Sequence, residues 1–323
     1  MTANHAWVWR YRAGDYRILA QLIDNTLTVL AQRWPPPRRV LRQPRTQRHG
    51  RMSTVQTPRL VASDVDGTLL DDRDCVTPRT RAAVAALADQ GVPFVLVTGR
   101  PPRWMAPVVD QLEFAPLAVC ANGAVLYDTA NGTVLHAHTL GVPLLQQAAE
   151  LAVQALPGSG LAAERVGAHD SAKPQFVSAP GYAHAWLNPE NTEVSADELT
   201  SEPAVKLLVR HTGMSSGEMA AVLAPLLHGT VDLTYSTNNG LVELSAPGVT
   251  KATGLAKVVA DFGLGRENVI AFGDMPNDIP MLGWAGHGVA MGNAHSAAVA
   301  VADEVTAPNT EDGLAQVLER WWH

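Results

Sequence analysis

The chain has 323 residues, 46% of them hydrophobic and 17% charged, the composition of an ordinary globular protein long enough for two domains. No run approaches the roughly 18 apolar residues of a membrane span, and two cysteines, Cys75 and Cys120, neither build a disulfide framework nor offer zinc-ligand spacing. The net charge of −7 divides into +8 before Pro58 and −15 after it, and so acidic a remainder argues against nucleic acid as substrate, because a phosphate backbone needs a positive surface.

Residues 1–57 differ in character from the rest. Ten arginines and no lysine stand there against Asp15 and Asp24. Ile18, Leu19, Leu22, Ile23, Val29 and Leu30 have roughly helical spacing, which predicts an amphipathic helix from about Tyr16 to Arg33, stopped by Pro35, Pro36 and Pro37. Arg38 to Arg51 is Arg-rich with few apolar residues and reads as disordered. A targeting peptide and a basic arm are both compatible with this composition. The favoured expectation is an upstream extension without catalytic role, Met52 standing a short polar run before the first core strand.

Leu60 to Asp72 reads as a short buried strand ending in two carboxylates. Leu60, Val61 and Ala62 form an apolar run that Gly67-Thr68 breaks with a turn. Asp64 and Asp66, two residues apart, point to one side in extended chain, at the strand end where open α/β sheets hold their ligands. Converging there, they repel unless a cation or proton lies between them.

Thr77 to Gln90 is a predicted helix with Thr77 as N-cap, Pro78 in the first turn and Gly91 as stop. Pro93 to Val97 is a buried strand, and Thr98-Gly99-Arg100 follows at its end. Strand, helix and strand predict a parallel sheet, which brings Thr98 to the edge that carries Asp64. A hydroxyl followed by glycine offers a side-chain donor and close backbone N–H groups to a phosphate. Arg103 to Leu112 continues as helix and Leu117 to Cys120 as a third strand, followed by Asn122-Gly123 at the same edge. Cys120 lies in an apolar run, which favours a reduced, buried thiol and a cytoplasmic setting. Val125 to Tyr127 and Thr133 to His138 read as a hairpin; His136 and His138 share a face there but have no third ligand nearby.

Pro143 to Leu156 is a strong helix, after which the pattern changes. Short alternating runs such as Gln175 to Ala179 and Val205 to Arg210, with one helix from Gly217 to Leu227, suggest a separate α+β module with an antiparallel sheet. Tyr182, Asp197, Glu198, Lys206 and Arg210 are candidates there for selecting substrate. Leu241 to Leu244 is read as a return to the core. Thr250 is a plausible N-cap for a helix beginning at Lys251, which leaves that ammonium free to reach outward. Asn268 to Phe272 is a further buried strand ending in Gly273-Asp274, with Asn277 and Asp278 three and four residues on, at one edge with Asp274.

In that order the motifs resemble the haloacid dehalogenase (HAD) superfamily, specifically its Cof-type phosphatases with a type IIB cap. Asp64-Val65-Asp66-Gly67-Thr68, Thr98-Gly99-Arg100, Lys251, and Gly273-Asp274 with Asn277-Asp278 match the four motifs in sequence, and Val289 to Ala294 is similar to the group as well. The resemblance implies a Rossmann-like parallel-sheet core in two parts, 58–140 and 236–323, with an inserted α+β cap at 141–235. It implies phosphoryl transfer through an aspartyl-phosphate, Asp64 being the nucleophile and Asp66 the acid and base. Thr98, the Gly99 backbone and Lys251 would bind the phosphoryl oxygens. Mg²⁺ would be held by the Asp64 carboxylate, the Asp66 carbonyl and Asp274, with Asn277 and Asp278 behind them; Arg100, Asn122 and Gly123 are possible substrate contacts. The expected partner is a small phosphorylated metabolite, such as a sugar phosphate, rather than nucleic acid or membrane. A phosphomutase and a catalytically silent binding protein on the same fold are the alternatives.

Overall fold

The computed structural model describes residues 8–13, 16–23, 26–33, 57–166, 174–186 and 188–322. Val8–Ala13 (β1), Tyr16–Ile23 (β2) and Thr26–Arg33 (β3) form an antiparallel sheet in that order, where a helix from Tyr16 to Arg33 was expected. Short apolar runs satisfy both periods, and the β-branched Ile18, Ile23, Thr26, Thr28 and Val29 favour the extended one. The Arg-rich segment 38–51 and Met52 lie outside the described residues.

Residues 56–323 form a compact unit of their own. Its larger sheet takes Leu60–Ser63 (β4), Phe94–Val97 (β5), Leu117–Cys120 (β6), Val125–Asp128 (β7), Thr133–Ala137 (β8), Val269–Gly273 (β15), His287–Ala290 (β16) and Glu304–Val305 (β17). The order is β17-β16-β15-β4-β5-β6-β7-β8; the strands from β17 to β6 run parallel, and the β7-β8 hairpin is added antiparallel. Alternation within the central strands explains why they read as unbroken apolar runs. Val61, Leu96 and Ile270 face one buried cluster with Leu87 and Leu318, from helices Pro78–Asp89 (α1) and Gly313–Leu318 (α9). Leu60, Ala62, Val95 and Ala271 face the other with Leu255 and Met281, from Lys251–Asp261 (α6) and Ile279–Trp284 (α7). Both faces are covered, so no polar alternation survives. Because the central strands are parallel, β4, β5, β6 and β15 all end on one edge, and every motif except that of Lys251 lies in a segment that leaves from it.

The second sheet is antiparallel but for one edge pairing. It comprises Gly160–Glu164 (β9), Phe176–Ser178 (β10), Asn191–Glu193 (β11), Lys206–Arg210 (β12), Asp232–Thr234 (β13) and Leu241–Ser245 (β14), in the order β11-β10-β9-β12-β14-β13. This corrects the expected boundary at residue 235. Leu241 to Leu244 does not return to the core; β14 lies between β12 and β13, so the inserted module runs through Ser245. The pattern of a strand tells which residues share a face, not which sheet it joins. One face of this sheet packs Leu207, Val209, Val242 and Leu244 under helices Val142–Ala155 (α3) and Ser216–Leu227 (α5). The opposite face carries Glu164, Lys206, Leu208 and Glu243, and with them it roofs a cavity of about 400 Å³ over the edge of the core sheet.

Gly123 shows how tightly the two halves of the core are seated. At φ +104° it lies against the N-terminus of α6, where an added Cβ would stand 2.0 Å from the Thr250 carbonyl oxygen. It therefore serves as the seat of α6. Gly123→Ala is expected to destabilise by about 2–3 kcal/mol through strain and overpacking together, read as a lowered urea midpoint at unchanged slope.

Candidate active site

Each site residue except Lys251 follows the end of a core strand. After β4 the Asp64 amide still donates to Phe272 O of β15 at 3.0 Å, and the chain then turns through Gly67 at φ +75°. A Cβ at Gly67 would come 2.4 Å from Asp274 Oδ2, so this turn and the end of β15 approach as closely as glycine permits. Thr68 Oγ1 donates to Asp274 Oδ1 at 3.3 Å, and Asn293 Nδ2 donates to Gly67 O at 2.8 Å. Asp278, in the turn after β15, accepts from the Asp274 and Met275 amides through Oδ2 at 3.0 and 2.9 Å.

Lys251 completes the group. It opens α6, whose N-cap Thr250 accepts from the Thr253 amide, but its side chain turns inward and is fully buried instead of reaching out to solvent. The ammonium donates to Asp64 Oδ1 at 2.5 Å and Asp278 Oδ1 at 2.7 Å. Both Asp278 oxygens are thereby engaged by the ammonium and two amides, whereas Asp274 accepts only from the neutral side chains of Thr68 and Asn293, which leaves Asp64 and Asp274 the better placed to meet a cation. Oxygens of Asp64, Asp274 and Asp278 lie within 4.8 Å of one another. Three carboxylates against one ammonium leave two negative charges uncompensated, the charge of one divalent cation.

The electrostatics agree. Burial, reinforced by Asp278, Asp274 and Asp66 and opposed by Lys251, holds the Asp64 carboxyl well above its usual range. Burial and then Asp278 push Asp274 up to about 7. For Lys251, burial acts against the charge but Asp278 and Asp64 outweigh it, and the ammonium is held above its ordinary value.

Of the other expected residues, Thr98 is buried, its Oγ1 accepting from the Arg100 amide at 3.0 Å. Arg100 binds Asp66 through three bonds, Nε to Oδ2 at 2.9 Å and to Oδ1 at 3.2 Å and Nη2 to Oδ1 at 2.5 Å, with the Asp66 side chain 55% exposed at the cavity. Asn122 Oδ1 accepts from Asn277 Nδ2 at 3.1 Å, while its Nδ2 donates to Glu243 Oε2 at 2.9 Å. Glu243 in turn is paired with Lys206, whose ammonium also donates to Gly99 O at 2.8 Å. Glu243, Glu164 and Arg103 were not singled out from sequence; a lone acid in a short strand carries no signal until its partner is known. The hairpin histidines lie elsewhere, His136 and His138 bonding to each other and His138 to Lys257.

A family profile described as haloacid dehalogenase-like hydrolase covers residues 61–318. The chain belongs to that family. It is 31% identical over 269 residues to the pyridoxal phosphate phosphatase YbhA of Escherichia coli K12, covering 81% of this chain and 98% of that protein. It is 29% identical over 264 residues to the 5-amino-6-(5-phospho-D-ribitylamino)uracil phosphatase YcsE of Bacillus subtilis strain 168, covering 81% and 95%. In fold it resembles BT1666 from Bacteroides thetaiotaomicron, TM-score 0.67 at 23% identity over 85% of this chain and 98% of that one. It also resembles the subclass IIB sugar phosphatase BT4131, TM-score 0.66 at 23% identity over 81% and 98%. Membership of the Cof-type HAD phosphatases, expected from the four motifs, is thus established, and with it the α/β core and inserted cap. Among the described residues no helix is long and apolar enough to cross a membrane.

Two outcomes follow. Lys251→Met should leave two buried carboxylates without their cation and cost about 3–5 kcal/mol, measured by urea unfolding. In metal-free protein, Asp274 binds its proton more tightly folded than unfolded, so its contribution to stability falls as pH rises from its ordinary 3.8 to about 7. Asp274→Asn should therefore make thermal stability less steeply decreasing between pH 5 and 7.5 in chelator than it is in the unaltered protein.

Proposed function

We propose that the protein is a Mg²⁺-dependent phosphatase that hydrolyses a small phosphorylated metabolite, in the cytoplasm, through a phosphorylated Asp64. The observation that carries this reading is the buried Lys251 ammonium bound to both Asp64 and Asp278 beside the uncompensated Asp274. A nucleophilic carboxylate must be held in place and ionised; Lys251 fixes Asp64 and opposes the protonation that burial favours. The donor set is oxygen alone, which suits Mg²⁺ over softer ions. The Asp64 carboxylate, the Asp66 carbonyl and Asp274 would hold it, with Asp278 and Asn277 behind; Asn277 Oδ1 is buried without a partner, an acceptor open to bound water. When bound, the cation supplies charge neutralisation at the transferring phosphoryl group.

In the first step an Asp64 oxygen attacks phosphorus, the bond from phosphorus to the alcohol oxygen breaks, and Asp66 gives that oxygen its proton. In the second, water attacks the phosphorus of phospho-Asp64, Asp66 takes the proton, and phosphate leaves with Asp64 restored. Thr98, the Gly99 amide and Lys251 bind the remaining phosphoryl oxygens as charge redistributes. Asp66 is gripped by Arg100 in the resting site, so proton donation requires that carboxylate to change partners. The relatives named for pyridoxal phosphate and for a ribitylaminouracil phosphate support a small phosphorylated metabolite, a class that includes sugar phosphates.

Phosphate release from a panel of such esters, with Mg²⁺ and after chelation, tests the reading. Turnover should need the metal, vanish into background in Asp64→Asn, and drop by about 10²- to 10⁴-fold in Asp66→Asn. Undiminished turnover in Asp64→Asn would exclude a phospho-Asp64 route.

A further inference from the structure

The turn that carries Asp66 is held by side chains from near the end of the chain. Residues 65–70 close on themselves through one main-chain bond, the Leu70 amide donating to Val65 O at 3.0 Å. The carbonyls of Gly67 and Leu70 each meet an asparagine: Asn293 Nδ2 donates to Gly67 O and Asn309 Nδ2 to Leu70 O, both at 2.8 Å. Asn293 follows β16 and Asn309 follows β17, and the two segments are packed together. The Asn309 amide donates to Asn293 Oδ1 at 3.1 Å, the Gly292 amide donates to Ala307 O at 3.2 Å, and a Cβ on Gly292 would stand 2.7 Å from Pro308 N. Asn293 Nδ2 also reaches Asp274 Oδ2 at 3.5 Å, and two residues on the His295 amide donates to Asp274 O at 2.8 Å. One amide side chain therefore spans the two strand ends, β4 and β15, whose oxygens would share a cation.

We propose that Asn293, seated by Asn309, is a positioning residue that sets the Asp66 carbonyl and the Asp274 carboxylate at the separation a divalent cation requires. This rests on the Mg²⁺ reading above and extends it to residues outside the ligand set. The chemistry suits a neutral amide. Gly67 O can only accept and the Asn309 N–H can only donate, so its partners fix which way the Asn293 amide faces. An aspartate in its place would turn an oxygen toward Gly67 O and Asp274, and a lysine would bring a second ammonium to the cluster and cancel charge that attracts the cation. An N–H of an amide orients Asp274 and leaves its charge for the metal. Mg²⁺ demands near-ideal octahedral geometry, so a small displacement of one oxygen ligand is costly. Asn293 is exposed while Asn309 is buried. Surface substitutions contribute little to folding, so the loss of the Asn293 side chain registers in metal binding and hardly in stability.

The test titrates Mg²⁺ calorimetrically into the full chain without substrate and follows urea unfolding in chelator. Asn293→Ala should weaken Mg²⁺ binding about 10- to 100-fold, the range that removal of an outer-shell partner produces, at an almost unchanged urea midpoint. In turnover the same variant should need correspondingly more Mg²⁺ for half its maximal rate. Asn309→Ala removes the tether to Leu70 O but keeps the main-chain N–H that holds Asn293, so it should lower the midpoint and weaken Mg²⁺ binding by less. Ser216→Ala is the control for a structural lesion elsewhere: its buried hydroxyl accepts from the Gly240 and Leu241 amides within the inserted module, and its loss should lower the midpoint with Mg²⁺ affinity unaltered. Equal Mg²⁺ affinity in Asn293→Ala and the unaltered protein, or a loss that Ser216→Ala matches, overturns the positioning role and leaves the metal reading intact. No Mg²⁺ binding by the unaltered protein would sink the metal reading and this role with it. Should Asn293→Ala fail to fold, Asn309→Ala decides against the same control: weaker Mg²⁺ binding in that variant alone supports the role, and equal binding overturns it.

Discussion

The buried ammonium of Lys251 is the interaction on which the rest of this site depends. Three carboxylates gathered at one edge of a sheet, out of water, repel one another and are costly to keep ionised. Lys251 reaches two of them, and the turn after β15 supplies two amides to the far oxygen of Asp278. Asp278 is thereby spent on holding the lysine, and Asp64 and Asp274 face the space where a divalent cation would restore neutrality. The close approach at Gly67 and the seat that Gly123 provides for α6 are the steric conditions for this arrangement, because either side chain enlarged would separate the strand ends that carry the charges.

The two sheets divide the labour by the same rule of alternation. In the core, both faces are covered by helices and the function is confined to the strand ends. In the inserted module one face is buried under α3 and α5, and the other is free to carry Glu164, Lys206 and Glu243 across three adjacent strands. This second face is tied to the first sheet by hydrogen bonds, not by apolar packing alone. Lys206 donates to the carbonyl of Gly99 in the turn after β5, and Glu243 runs through Asn122 to Asn277 beside the acidic cluster. The inserted module is thus connected to the edge of the core sheet through buried side chains, by the Lys206 and Glu243 contacts.

Asp64, Asp66, Thr98, Lys251, Asp274, Asn277 and Asp278 were legible in the sequence because each follows a strand or opens a helix with its own local signature, and a parallel sheet brings such ends together whatever the details of packing. The helix at Thr77, the hairpin after Cys120 and the glycine turns were legible for the same local reason. The strands from Val8 to Arg33 were misread because alternating and helical periods coincide over so short a span. β14 was misassigned because Leu241 to Leu244 has an alternation that fits either sheet, and Glu243 was consequently overlooked.

Local sequence was enough to place these residues, the carboxylates and the Thr98 hydroxyl at strand ends on one edge and Lys251 at the start of its helix, since local conformation and strand order suffice for that. Only the tertiary structure decided how they share their charges and what stands above them. The inward turn of Lys251, the grip of Arg100 on Asp66, the pairing of Lys206 with Glu243, and the meeting of Trp104 with Trp186 join residues from 27 to 187 positions apart by contacts between side chains. Nothing in the local pattern of either partner encodes such a contact, because its energy exists only once the chain has folded and water has been removed from between them.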